Sequence, residues 1–163
     1  MSNIEVEDNS RYETYAYFYV ANFEGDASAI TRKLELEPTR TWHKGDSYLP
    51  FKTSDFVKTE TYSNWEIHSP LERSEIFLDA HIEAVLDLIE PKREQILQFQ
   101  AQGYDIGINC VGYYHCANPG FHMSAKLLSR LASFSFDVDL DLYCSCEDDN
   151  EEQTQESLES EGA

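Results

Sequence analysis

Phe136-Asp137-Val138-Asp139-Leu140-Asp141-Leu142-Tyr143 alternates apolar and acidic residues without a break. Successive side chains of a β-strand point to opposite faces, so the stretch predicts a strand with an apolar face and an aspartate face. A strand of that kind belongs to a sheet covered on one side only and wetted on the other, which is the habit of antiparallel sheets.

The segments before it fit that picture. Tyr15-Ala16-Tyr17-Phe18-Tyr19-Val20 is aromatic and lacks strict polar alternation, which predicts a strand covered on both faces. After Gly25, Asp26 is a candidate N-cap for a helix carrying Ala27, Ile30 and Leu34, which must end before Pro38. Trp42 to Asp46 predicts a short strand turning at Gly45-Asp46, and residues 47–63 a long polar loop. Trp65-Glu66-Ile67-His68-Ser69, closed by Pro70, predicts a strand with Trp65 and Ile67 inward.

Ile82, Val85, Leu86 and Ile89 form a helical stripe that Ile96, Leu97 and Phe99 continue beyond Pro91. Proline is tolerated only in a first helical turn, so the expectation is two abutting helices, 78–89 and 91–101, or one kinked helix. Tyr104 to Tyr114 reads as a strand with Ile106, Ile108 and Cys110 on one side; Ser124 caps a helix turning Leu127, Leu128 and Leu131 inward. The whole order predicts an α+β fold: a single, mostly antiparallel sheet with helices packed on one face. Residues 1–11 are expected to be a flexible leader, 12–146 a single α+β domain, and 147–163 a disordered acidic tail.

The chain of 163 residues carries 31 acids against 12 Lys and Arg, a net charge of −19. The tail from Glu147 holds eight of those acids, and −11 remains without it. Such a balance argues against nucleic acid and against anionic membrane surfaces, both of which are bound through Lys and Arg. It favours fast encounter with basic proteins, and otherwise serves solubility. With four cysteines, no apolar leader and no long apolar run, the expected setting is the cytoplasm.

Two constellations stand out. Asp137, Asp139 and Asp141 recur two apart, about 7 Å from one another along one strand face. That spacing is too wide for one metal ion but suits a row of anchors for Lys and Arg on a partner. The plain alternative is a solvated face whose charges discourage edge pairing. The second is Arg40, Trp42, Lys44, Asp46 and Trp65, the protein's two indoles with basic neighbours, which could receive an anionic metabolite. Here the plain alternative is a Gly45-Asp46 turn beside core tryptophans.

Other chemistry finds less footing. His115, Cys116, His122, Cys144 and Cys146 are zinc-ligand types, but their spacing departs from that of zinc sites, and no metal or other cofactor is expected. No nucleophile elbow, phosphate loop or dinucleotide fingerprint occurs. His43 and His68 could do acid–base work only if the fold brought them together. No enzyme is expected.

Leu36-Glu37-Pro38-Thr39-Arg40-Thr41-Trp42, then Lys44-Gly45-Asp46 and Trp65-Glu66-Ile67, resembles the bacterial family called domain of unknown function 4279. The similarity continues through the Leu86–Pro91 helix end, Gly120-Phe121, Leu128–Leu131 and Asp141–Tyr143, covering roughly residues 14–143. It implies a small α+β domain without established catalytic residues, some of whose relatives look like immunity proteins encoded beside toxins. The expectation is therefore a non-enzymatic acidic protein of the immunity type. It would neutralise a basic toxin domain, for instance a nuclease, through Asp137, Asp139 and Asp141. The alternatives are a small-ligand module at the Trp42–Asp46 turn and a structural domain with no ligand.

Overall fold

The strand β1 (Glu13–Ala21) lies at the centre of a five-stranded sheet and fixes the architecture. In this computed structural model, which describes residues 12–50, 56–115 and 119–144, chain order continues as follows. The helix α1 (Ser28–Leu34) precedes the short strands β2 (Arg40–Trp42), β3 (Ser47–Tyr48) and β4 (Lys58–Thr59), and then β5 (Asn64–His68). The helices α2 (Leu78–Ile89) and α3 (Arg93–Ala101) come next, followed by β6 (Asp105–Tyr114), α4 (Ala125–Ala132) and β7 (Asp137–Cys144).

The sheet order is β2-β5-β1-β6-β7. Only β6 and β7 pair in parallel; the other three pairings are antiparallel. The fold is α+β, and the helices share one face of the sheet, with α2 against β1 and β6 and α4 against α2. Ala16, Phe18 and Val20 of β1 enter that core with Trp65 and Ile67 of β5 and Ile106, Ile108 and Cys110 of β6. Burying each large apolar side chain there contributes about 1.5–3 kcal/mol.

Pro91 has the expected effect. A single 3-10 turn, Glu90–Lys92, separates α2 from α3, so the proline sits where no interior amide hydrogen bond is required. Ser124 caps α4, its hydroxyl accepting from Leu127 N–H at 3.1 Å. Arg130 ties that helix to α2 through Glu90 and Asp87, at 2.7 and 2.5 Å. The Asp26 carboxylate accepts from Ser28 N–H at 2.9 Å and satisfies the start of α1, while Glu35, in a left-handed conformation, ends it.

Several expectations need correction. The β1 run is covered on both flanks but not on both faces: Tyr15, Tyr17 and Tyr19 stand half-buried on the helix-free side. A phenol packs its ring and keeps its hydroxyl wet, so an aromatic run need not mean two buried faces. The apolar side of β7 is only partly covered, with Val138 half-buried and Leu140 and Leu142 about 40% exposed, because the helices do not extend over this edge. Leu128 is half exposed, and only Leu127 and Leu131 of that helix are buried. The span 47–63 is not all loop, since β3 and β4 pair antiparallel within it. The expected leader 1–11 and tail 147–163, together with Cys116 and Cys146, lie outside the described residues.

Candidate functional site

The helix-free face is organised in rows by strand register. One row runs Arg40, Glu66, Tyr19, Gly107, Asp137 across all five strands. Beside it on one side lie Trp42, Asn64, Ala21 and Asp105; on the other lie His68, Tyr17, Asn109 and Asp139. A further row takes Tyr15, Val111 and Asp141. The two constellations named from the sequence therefore meet on one surface, with Arg40 and Trp42 at one edge and the aspartates at the other.

A cleft of about 830 Å³ opens in this face, with Trp42, Tyr62, Tyr17, Tyr19, Asp137 and Asp139 in its walls. Small residues make the room. Ala21 occupies the middle of one row, and Gly107 lets the Tyr19 ring lie across β6, its hydroxyl over the glycine. Arg40 covers one face of the Trp42 indole, 4.7 Å from the ring centroid, and Tyr62 meets it edge-on. Nε1 of Trp42 is buried and has no acceptor among the described residues.

At the other end the chemistry is acidic. Asp105, Asp137, Asp139 and Asp141 form no ion pair among the described residues. Asn109 donates through Nδ2 to Tyr17 Oη at 2.8 Å and to Asp141 at 3.1 Å, while its Oδ1 is buried without a donor. Burial, and then the charges of Asp139, Asp137 and Asp105, raise the pKa of Tyr19. Tyr17 is pushed up to about 12, chiefly by burial. Both phenols stay protonated at neutral pH and can donate into the cleft.

The floor between the two ends is fixed by polar and aromatic contacts. Glu66 is buried, accepting from Asn64 Nδ2 and paired with His68 Nε2, each at 3.0 Å. The His68 imidazole stacks on Tyr15 and Tyr17, with centroids 5.6 and 5.0 Å away, and Arg73 covers Tyr15 at 4.1 Å. His68 is thus engaged in this stack. His43 accepts from Ala27 N–H at 3.3 Å and faces Asp46, so the two histidines do not form a catalytic pair.

The second constellation is divided by the structure. Trp65 is fully buried on the helix side, and its indole N–H donates to Thr31 Oγ1 at 2.9 Å. It cannot be a stacking floor with Trp42, because Trp42 pairs with Asn64 and Trp65 with Thr41, which sets the two indoles on opposite faces. Lys44 lines a separate cavity of about 390 Å³ with His43 and Tyr62. Asp46 accepts from His43 N–H at 2.7 Å and closes a turn in which Gly45 has φ +97°. Within the turn Asp46 N–H donates to His43 O at 3.0 Å, and Gly45 N–H ties it to a distant segment by donating to Glu60 O at 2.8 Å. Of the five residues, only Arg40 and Trp42 join the aspartates on the open face.

Sequence reasoning missed Tyr17, Tyr19, Tyr62, Asp105 and Asn109. Tyrosines at 15, 17 and 19 did carry a period-two signal, the mark of one strand face. Among the described residues no cluster of three or more His, Cys, Asp or Glu is placed to hold a metal ion. No helix among them is long and apolar enough to cross a membrane. The model of the family described as domain of unknown function (DUF4279) matches residues 12–145, and the chain belongs to that family. No curated protein and no solved structure matches it.

Proposed function

We propose that this member of the DUF4279 family is a non-catalytic, cytoplasmic binding protein of the immunity type. It neutralises a basic toxin domain by covering that domain's active surface with the open face of its sheet. A nuclease fits the role, because a surface that holds phosphate is rich in Lys and Arg. The observation that supports this is the row Asp137, Asp139, Asp141: carboxylates without ion pairs among the described residues, on an uncovered face, beside a tyrosine-lined cleft. All three carboxylates are exposed, so they are accessible to the Lys and Arg side chains of a cationic partner. The net charge of −19 adds long-range steering.

A small ligand in the cleft is the second reading, favoured by the unpartnered Trp42 Nε1. An anionic metabolite is the poorer choice for it. Lys44 lies in the other cavity, and Asp105, Asp137 and Asp139 would repel an anion.

The test is retention of cellular proteins on the tagged wild type and on a variant with Asp137, Asp139 and Asp141 changed to Lys, washed at low and then high salt. A basic protein held in equimolar amount by the wild type, released by salt and absent from the variant is the expected result. Equal retention by a variant with native circular dichroism would sink the proposal.

A further inference from the structure

The cleft is chemically directional. At the β2 edge it offers donors: the Trp42 indole N–H, buried without an acceptor, beside the Arg40 guanidinium. At the β6–β7 edge it offers acceptors: Asn109 Oδ1, also buried and unpartnered, with the carboxylates of Asp137 and Asp139. Buried polar atoms left unpaired cost free energy, and two of opposite type in one cleft are each satisfied by a suitably placed ligand. From β2 to β7 is four strand spacings, about 19 Å. That is too long for one side chain and matches about six residues of extended peptide.

We infer that the cleft seats an extended segment of the partner lying across the strands, with a Lys or Arg side chain between Asp137, Asp139 and Asn109 Oδ1 and a main-chain carbonyl on Trp42 Nε1. This rests on the basic-protein reading above and adds a seat and a direction to it. The aromatic walls suit the aliphatic stem of the basic side chain, and a guanidinium also stacks on phenol faces. Arg40 at the far edge disfavours a second cation there and so sets the polarity of the bound segment. Ala21 leaves height for a backbone in its row, and over Gly107 the Tyr19 phenol forms the floor on which the segment lies.

The protein contains two tryptophans, and this makes the inference readable by NMR. The Trp65 indole N–H is bonded to Thr31 in the core, whereas that of Trp42 has no acceptor among the described residues and belongs to a side chain in the cleft wall. The probe is a capped hexapeptide amide of five glycines followed by a C-terminal arginine. Its titration should move the Trp42 indole resonance saturably and leave that of Trp65 in place. Asp137→Asn with Asp139→Asn should weaken the peptide at least tenfold, and Trp42→Phe several-fold. The same peptide ending in glutamate should not bind.

Absence of saturation at 10 mM peptide would overturn the seat. So would equal binding of the glutamate peptide, or free arginine or spermidine binding as tightly as the hexapeptide, which would make this a small-cation site. The two proposals can fail separately. If aspartate reversal abolishes capture of the cellular partner while Trp42→Phe leaves both capture and peptide affinity unchanged, the directional seat is wrong and the basic partner stands. If neither variant alters capture, both are wrong.

Discussion

The phenol of Tyr19 lies across Gly107 of the neighbouring strand, where a Cβ would stand 2.7 Å from its hydroxyl and 2.8 Å from the Asp137 carbonyl oxygen. Gly107→Ala must therefore displace both an aromatic side chain and the backbone of β7. Strain of this kind costs on the order of 1–3 kcal/mol. Urea unfolding should show that loss, and the arginine-ending hexapeptide should bind the variant more weakly because the cleft wall has moved. Stability within about 0.5 kcal/mol of wild type would contradict the close approach.

His81 is fully buried in α2. Glu75 O can only accept, so His81 Nε2 carries a hydrogen and donates to it at 3.0 Å, while Nδ1 lies 2.9 Å from Ser69 Oγ. Burial holds its pKa below the ordinary value, against the smaller opposing pull of Glu75. The unfolded chain takes up a proton near pH 6.5, which the folded site resists. Stability from this group is thus complete above about pH 6.5 and declines as the pH falls below it. Denaturation midpoints between pH 7.5 and 5 should decline less steeply for His81→Gln than for wild type; parallel curves would remove His81 from the acid response.

Thr31→Val retains the shape of its side chain but strips the acceptor from the Trp65 indole. A buried N–H left unpaired costs about 1–3 kcal/mol. Trp65→Ala should cost more, about 3–5 kcal/mol, through the cavity it leaves. Neither residue faces the cleft, so Thr31→Val should bind the hexapeptide as the wild type does. Calorimetric unfolding and the peptide titration together separate the core role from a binding role.

The helices were legible because their signals are local. Proline at 91 and the stripe from Ile82 to Phe99 place α2 and α3, and Ser124 places the start of α4. Alternation gave β7 and its aspartate face. It could not give the exposure of Leu140 and Leu142, since coverage depends on where the helices end. Strand register was the harder loss. Setting Trp42 beside Asn64, and not beside Trp65, is decided by pairing across 22 positions, and a slip of one residue exchanges the faces. For the same reason the meeting of Trp42 with Asp137 and Asp139 is a property of the assembled sheet alone.

The central position of β1 bears on how the chain comes to be folded. Its two neighbours are β5 and β6, and the register with β6 joins Glu13 to Tyr113 and Ala21 to Asp105. Contacts so distant along the chain form slowly, because the closure entropy is lost before the pairing is gained. During synthesis the middle strand is made first and acquires its second partner only when residues 105–114 have left the ribosome. Until then its tyrosine and phenylalanine side chains have half a sheet to lie on. A chain halted at residue 104 should show no cooperative unfolding transition, and the nascent protein will depend on chaperones or on speed during that interval.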